Sequence, residues 1–256
     1  MDPSELRSAL VDLNALMVTD LLRMWRPVLD EDVEYLREKL QAEVPPIVDP
    51  YLAAAGDITA DWYEAQAPDL DYIAVPAELP DEGQLQATAR WAAGTVLTKS
   101  PVSPLELLAG SMQRALFNES RNTIIENAEV EPGARWARHA SANACEFCKM
   151  VATRGAVYSS AESASRVGGR GVDESTNIGR RRGARAGGIR ARGNQAIGDK
   201  YHDHCHCIAV PVRPGQSYDP PPYVEEWEAE YTRARKAADG VDAKSILSAW
   251  RKLQPE

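Results

Sequence analysis

The chain carries all four of its cysteines in two short stretches, CEFC at residues 145–148 and HDHCHC at residues 202–207. Three of its four histidines lie in the second stretch, and the fourth, His139, lies six residues before the first stretch. A C-x-x-C turn can bring two thiolates to one tetrahedral ion, and a structural zinc site takes four Cys or His ligands. The two stretches therefore predict a site that closes a small domain in the C-terminal half of the chain.

The sequence leaves three chemical states of these cysteines open: a zinc site, a pair of disulfides formed after exit from the cell, and reduced structural thiols. The amino terminus carries Asp2 and Glu5 and no long apolar run, so we expect no signal peptide. The protein is then expected to stay in a reducing compartment, where clustered cysteines more often bind a metal than form disulfides. This expectation favours zinc.

We predict one structural zinc ion held by four thiolates, with His202 or His204 as the substitute ligand. The four cysteines are Cys145, Cys148, Cys205 and Cys207. Four thiolates carry more negative charge than a divalent ion neutralises, and a histidine ligand would reduce that excess. The neighbouring basic side chains of Arg138 and Lys149 are candidates to offset it.

Net charge and its distribution limit the partners of the protein. The formal net charge is −9, which argues against a general nucleic-acid coat protein. Residues 1–66 alone have a net charge of −9, whereas residues 161–200 have a net charge of +5. No stretch approaches the ~18 consecutive apolar residues of a membrane span. We expect a protein made in the cytoplasm, without a membrane partner, whose acidic half is helical surface and whose basic stretch is a loop.

The N-terminal half has the periodicity of amphipathic helices. Residues 4–26 carry apolar side chains mostly in steps of three and four, which is typical of a helix with one buried face. A second helix is predicted with Asp30 as its N-cap, and Pro45-Pro46 is expected to break it before a third helical segment begins at about residue 49. Residues 67–81 contain three prolines and no long period, which indicates a connector or an extended arm.

The pattern changes at about residue 130, after a further helix that is predicted to begin at Pro104. Residues 134–139 and 208–212 read as strands that lead into the first cysteine stretch and out of the second. We therefore predict an α+β protein with three parts. They are a mostly helical N-terminal region (1–130), a small α+β domain closed by Cys and His (131–213), and a Pro-rich linker with a helical tail (214–256).

An Arg/Gly-rich insertion interrupts the small domain. Residues 166–193 hold eight arginines and eight glycines, a composition that cannot bury enough apolar surface to stay ordered alone. Flexible arginines contact phosphates readily, so the segment either contacts DNA or an acidic partner or is a solvated loop that balances an acidic protein. The candidate nucleic-acid-binding residues are Arg180, Arg181, Arg182, Arg185, Arg190 and Arg192.

The order of motifs over residues 134–212 resembles the head-morphogenesis domain of phage Mu F-like minor capsid proteins. The motifs are Arg135-Trp136, the C-x-x-C, Gly155 with Tyr158, and His202-x-x-Cys205-x-Cys207 before an apolar strand. That family's domain typically begins with an aromatic-bearing strand and a C-x-x-C, and it ends in a signature of the form H-P-x-C-R-C. Here Asp203 replaces the usual proline and His206 the usual arginine, while the metal-ligand set is intact.

The resemblance implies a role inside the head of a tailed phage. Such proteins are minor components that associate with the portal or the procapsid and can leave the head with the DNA. For this chain the resemblance implies a virion protein of the capsid interior, present in the host cytoplasm during assembly. Its partners would be the portal protein or the major capsid protein, and its role would be in head assembly or genome delivery.

A capsid maturation protease is the alternative function. A Ser-His-Asp triad needs a serine in a sharp turn and a buried histidine. Ser141 is close in sequence to His139, and Ser159 and Ser160 are available, but no serine stands in a G-x-S-x-G setting. The histidines lie near the cysteines, where metal ligation is the simpler use. We therefore expect a protein that is not an enzyme.

Overall fold

The structure is a computed structural model that describes residues 2–26, 32–98, 102–153, 205–240 and 242–253, with the backbone of residues 166–168 and 188–190. The predicted site residues that lie outside these ranges are His202, His204, Arg180, Arg181, Arg182, Arg185 and Arg192. Of Arg190 only the backbone is described. Gly155 and Tyr158 also lie outside the described residues.

Two long helices open the fold. Helix α1 spans Pro3–Trp25 and begins with a capping box, in which the Asp2 carboxylate accepts from backbone N–H groups and the Glu5 carboxylate accepts from the Asp2 N–H. Helix α2 spans Val33–Ala65, and its N-cap is Asp32 rather than the predicted Asp30. The two helices contact each other.

Helix α2 passes through three prolines without a break, so the break expected at Pro45-Pro46 is wrong. A proline in a helix interior costs about 3 kcal/mol because it removes a hydrogen bond and crowds the preceding turn. Pro46 and Pro50 deprive the carbonyl groups of Ala42 and Pro46 of a partner, and both of those residues are exposed, where water can serve as the partner. The buried stripe also continues across the prolines, through Leu40, Val44, Val48 and Leu52, all at 0% exposure. Buried side chains before and after the prolines pack in the core, and this packing keeps α2 continuous through them.

Two further helices complete the N-terminal part. Helix α3 spans Glu82–Gly94 and continues into a turn of 3-10 helix, Thr95–Thr98. Helix α4 spans Pro104–Val130, as the sequence predicted from Pro104. Ser103 and Glu106 form a capping box at its start, since each side chain accepts from the other's backbone N–H.

Residues 71–80, here called the strap, have neither helix nor strand structure and lie against α4, which confirms the predicted extended arm. The side-chain amide of Asn127 accepts from the Val75 N–H at 3.0 Å and donates to the Val75 carbonyl at 2.7 Å. One turn earlier on α4, the Thr123 hydroxyl accepts from the Ala77 N–H at 3.0 Å. The Glu64 carboxylate of α2 accepts from the Ala74 N–H at 2.8 Å. Side chains thus replace a partner strand along this extended segment.

A small sheet and a short helix follow. Strand β1 spans Arg135–His139 and pairs with strand β4, Ile208–Val212, in a two-stranded sheet. Helix α5, Glu146–Ala152, follows β1 and contacts it. Between α5 and β4, strand β2 (Arg166–Gly168) pairs antiparallel with strand β3 (Gly188–Arg190). The two strands predicted next to the cysteine stretches are therefore confirmed.

Two helices end the described chain. Helix α6 spans Tyr223–Ala237 and helix α7 spans Ala243–Leu253, and they pack on each other through Tyr231 and Trp250. The Trp250 indole N–H donates to Glu230 at 2.9 Å. The α+β class, with helices before and after a small sheet, is confirmed. No helix among the described residues is both long and apolar enough to cross a membrane.

The chain divides into two compact units. The first contains residues 1–127 and 201–208, and the second contains residues 128–200 and 209–256. The division falls inside α4 and after the first residue of β4. Each unit has its own core. Large fully buried side chains of the first are Leu10, Met17, Leu40, Tyr63 and Phe117, and those of the second include Trp136 and Trp250.

Candidate metal centre

The first cysteine pair lies at the start of helix α5. Cys145 is the N-cap of this helix and is half-buried, and its carbonyl accepts from the Lys149 N–H at 2.9 Å. Cys148 is the third helical residue and is fully buried, at 0% exposure. A C-x-x-C whose first residue caps a helix thus turns its second thiol inward on the first turn.

A buried arginine contacts the inner thiol of this pair. Arg138 of β1 is 1% exposed, and its Nη1 donates to Cys148 Sγ at 3.7 Å. The same guanidinium lies 5.9 Å from the centre of the Phe147 ring. A hydrogen bond from a cation stabilises a thiolate more than a thiol. Arg138 is therefore the basic residue that can offset thiolate charge, whereas Lys149 lies over the Trp227 ring at 5.6 Å.

The second cysteine pair is held by another buried arginine, which the sequence did not single out. Cys205 and Cys207 are 3% and 1% exposed, and Arg121 of α4 is 1% exposed. Arg121 Nε donates to the Cys207 carbonyl at 2.7 Å, and its Nη2 donates to the Cys205 carbonyl at 2.9 Å. Its Nη1 donates to Asn118 Oδ1 at 2.8 Å, so all three nitrogen atoms of the guanidinium donate a hydrogen bond.

His206, between the two cysteines, is anchored to α4. The Gln113 side-chain amide lies 2.9 Å from His206 Nε2 and donates to it, which leaves the ring proton on Nδ1. The His206 ring also meets the Phe117 ring edge-on, with 5.3 Å between centroids. The remaining described histidine, His139, has its Nδ1 3.2 Å from the Tyr218 hydroxyl. Neither histidine belongs to the thiol group described next.

Three buried cysteines form the metal-binding candidate of the described residues. The Sγ atoms of Cys148, Cys205 and Cys207 all lie within 4.8 Å of one another, close enough to bind one metal ion. Two thiolates on a tetrahedral zinc ion lie about 3.8 Å apart, since each Zn–S bond is about 2.3 Å. The upper limit of 4.8 Å on the sulfur–sulfur distances is compatible with this spacing. Soft sulfur ligands also favour zinc over calcium or magnesium.

Of the predicted ligands, the structure brings Cys148, Cys205 and Cys207 together, and Cys145 is not within this three-sulfur group. Cys145 lies one helical turn from Cys148 and remains a predicted fourth ligand. The substitute ligands His202 and His204 lie outside the described residues. All four cysteines are thiols rather than disulfides in this structure.

Sequence reasoning missed Arg121 because a single arginine inside an amphipathic helix reads as a surface residue. A weak signal was present, since Arg121 falls on the apolar stripe of α4, between Phe117 and Ile124. A charged residue at a buried position is almost always paired. Its partner could not be read from the chain, because the two carbonyls lie 84 and 86 residues away.

One protein-family model matches the chain, over residues 1–234, and its description is VG15 protein. No curated protein matches the chain, and no solved structure matches it. The family match covers the helical part, both cysteine stretches and most of α6.

Proposed function

Because the chain belongs to the VG15 protein family, a family of viral or phage gene products, we propose that it is a minor capsid protein of a tailed phage. In this proposal the protein acts in head morphogenesis or genome delivery from the inside of the capsid. Its role is structural rather than enzymatic.

The observation that carries the proposal is the order of elements around the cysteines. Strand β1 bears Trp136, helix α5 begins at the C-x-x-C, and the C-x-C leads directly into β4, which pairs with β1. This is the order on which the resemblance to the Mu F-like head-morphogenesis domain rests. The VG15 family match supports the phage origin that this proposal requires.

The proposed partner is the portal protein or the major capsid protein, and the acidic helices α1 and α2 are the proposed contact surface. Complementary charge gives an interface specificity and fast association more than affinity. The exposed acidic residues of these helices and their caps include Asp2, Glu5, Asp12, Asp32, Glu34 and Glu38. We expect them to meet a basic surface of the partner.

Mass spectrometry of purified procapsids and virions tests the location. The protein should be present in at least one of these particles at a copy number well below that of the major capsid protein. Binding of the purified chain to purified portal should weaken when Asp12 and Glu38 are changed to lysine. A matched variant, Arg233→Gln on exposed α6, should leave this binding unchanged. Absence of the protein from both particles would rule out the structural role.

We also propose that the thiol group holds zinc, and that the zinc has a structural role. The fourth ligand in this proposal is Cys145, or His202 or His204 in its place. Zinc in a closed site of this kind supplies folding free energy and performs no reaction step. The protein's own contribution is to bury the thiols and to set Arg138 against Cys148.

The maturation protease remains the other class of function to exclude. Ser141 is the described serine closest in sequence to a histidine. Processing of head proteins in infected cells, read on a gel, should be unchanged by Ser141→Ala. Accumulation of unprocessed head protein would instead support the protease.

A further inference from the structure

The C-x-C segment, defined as residues 205–207, belongs to neither a helix nor a strand. Strand β4 begins one residue later, at Ile208. Buried carbonyl groups without a hydrogen-bond partner are costly, so a buried segment outside a sheet needs another partner for them. Here the guanidinium of Arg121 takes the carbonyls of both Cys205 and Cys207. The Arg121 side chain thus supplies the hydrogen-bond donors that a neighbouring strand supplies in a sheet.

The two carbonyls that bind Arg121 are two residues apart, so they face the same side of the backbone. Where alternate carbonyls share a side, as they do in a strand, alternate side chains share a side as well. The Sγ atoms of Cys205 and Cys207 lie within 4.8 Å of each other, which agrees with this relation. Between them, the His206 side chain is held by Gln113 and Phe117 of α4. All of these anchors belong to one helix.

We propose that Arg121 is the positioning residue of the metal site: it sets the two thiols of the C-x-C segment on one face before a metal ion arrives. This inference rests on the zinc site proposed above. A ligand pair that is already aligned loses less conformational freedom on binding a metal ion than a flexible one. The C-x-C segment thus supplies two metal ligands that α4 holds in place. The affinity of the site for a metal ion depends on Arg121, although Arg121 does not contact the metal.

The test is metal binding by the full-length chain, with Co²⁺ as a spectroscopic stand-in for Zn²⁺. Tetrahedral thiolate ligation of Co²⁺ gives a sulfur-to-metal charge-transfer band whose intensity rises with the number of thiolates. Arg121→Lys keeps the charge but cannot bridge two carbonyls with a planar fork. We expect a loss of metal affinity on the order of 10–100-fold, the usual effect of removing an outer-shell partner. The band per bound ion should also weaken, which a simple loss of stability would not produce.

Asn118→Ala is the matched control, because it removes the third hydrogen bond of Arg121 and leaves both carbonyl bonds in place. This variant should keep the wild-type affinity and spectrum. Far-UV circular dichroism checks each variant, and if Arg121→Lys loses helix, Arg121→Gln, which keeps an N–H₂ donor without the charge, takes its place. Wild-type affinity and spectrum in a folded Arg121 variant would overturn the positioning role. A wild-type chain that binds neither Co²⁺ nor Zn²⁺ would overturn the zinc site itself.

Discussion

The carboxyl group of Glu119 is buried in the core of the first unit, and its pKa is raised. Glu119 is 2% exposed, and its Oε1 has no hydrogen-bond partner among the described residues. A methyl group added at Gly56 of α2 would lie 3.3 Å from this oxygen, so α2 comes close to it. Burial, and secondarily the charge of Glu126, raises the pKa of Glu119 to about 7. The folded unit therefore prefers the protonated form.

Glu119→Gln should make the protein more stable at about pH 8 and change little at about pH 5. The unfolded chain releases this proton near the ordinary glutamate pKa of about 4.3, while the folded chain holds it until about pH 7. The stabilisation by protonated Glu119 is thus fully present below the unfolded pKa and is lost as pH rises through the folded pKa. Denaturant unfolding at both pH values should give a gain on the order of 2 kcal/mol at the higher one.

Glu78→Gln is the comparison for this experiment, because Glu78 is an exposed carboxylate on the strap. It should leave the pH profile of stability as it is in the wild type. If Glu119→Gln gives the same profile as Glu78→Gln, Glu119 is ionised and hydrated in the folded protein, and the buried acid described here does not exist.

Among the elements, the strap is bound to α4 by side chains at intervals of one helical turn. Thr123 and Asn127 stand four residues apart and hold Ala77 and Val75 respectively. The Tyr72 hydroxyl adds a bond to Asn127 Oδ1 at 2.9 Å. Because Val75 is 65% exposed, its backbone depends on Asn127 rather than on burial of its own side chain. Asn127 is therefore the residue on which the fastening of the strap to α4 mainly depends, through its hydrogen bonds.

Asn127→Ala should loosen the strap and leave the helices folded. Each lost hydrogen bond contributes about 1 kcal/mol, and water can reach the released Val75 groups. We expect a melting temperature lower by roughly 4–8 °C for a loss of about 2 kcal/mol. Hydrogen exchange at the amides of Val75 and Ala77 should accelerate. Asn122→Ala, an exposed asparagine of the same helix, is the control; equal exchange in the two variants would contradict the fastening role of Asn127.

The Arg/Gly-rich insertion is an element whose function can be tested by itself. Replacing Arg180, Arg181, Arg182, Arg185, Arg190 and Arg192 with glutamine should abolish binding to duplex DNA, if the segment contacts packaged DNA. Wild-type binding should weaken steeply with salt, since phosphate contacts release counterions. A double variant, Arg233→Gln with Arg235→Gln on exposed α6, should bind as the wild type does. No binding by the wild type at low salt would leave the insertion as a charge-balancing loop.

A structural feature could be predicted from the sequence when it depends on residues that are close together in the chain. The helix over residues 4–26, the start of a helix at Pro104 and the strand at residues 134–139 each depend on neighbours in the chain, and all were predicted. The α2 prolines misled, because the local cost of Pro45-Pro46 is outweighed by packing that the local pattern does not contain. The C-x-x-C and C-x-C predicted a shared site through their chemistry. Arg121 could not be interpreted because its hydrogen-bond partners are distant in the chain, and Glu119 could not because its burial depends on packing that the local pattern does not contain.

At the scale of the whole molecule, the cysteines decide how the chain responds to its redox and metal environment. Zinc, disulfides and reduced thiols each predict a different response of the melting temperature. With zinc, a strong chelator under reducing conditions should lower the melting temperature, while reductant alone should have no effect. With disulfides, reductant alone should lower the melting temperature, and a chelator should have no effect on it.

We expect the zinc result, together with close to one zinc ion per chain by elemental analysis. Binding of a ligand to the folded state alone at a concentration 100 times its dissociation constant stabilises that state by about 2.7 kcal/mol. Cys148→Ser should remove both the metal and the chelator effect, because it deletes one of the three buried sulfur ligands and leaves the Arg138 guanidinium beside a hydroxyl. Cys145→Ser should retain metal if a histidine is the fourth ligand and lose it if Cys145 is. A metal-free protein whose melting is indifferent to both chelator and reductant would mean that the three thiols are ordinary core residues, packed together without an ion.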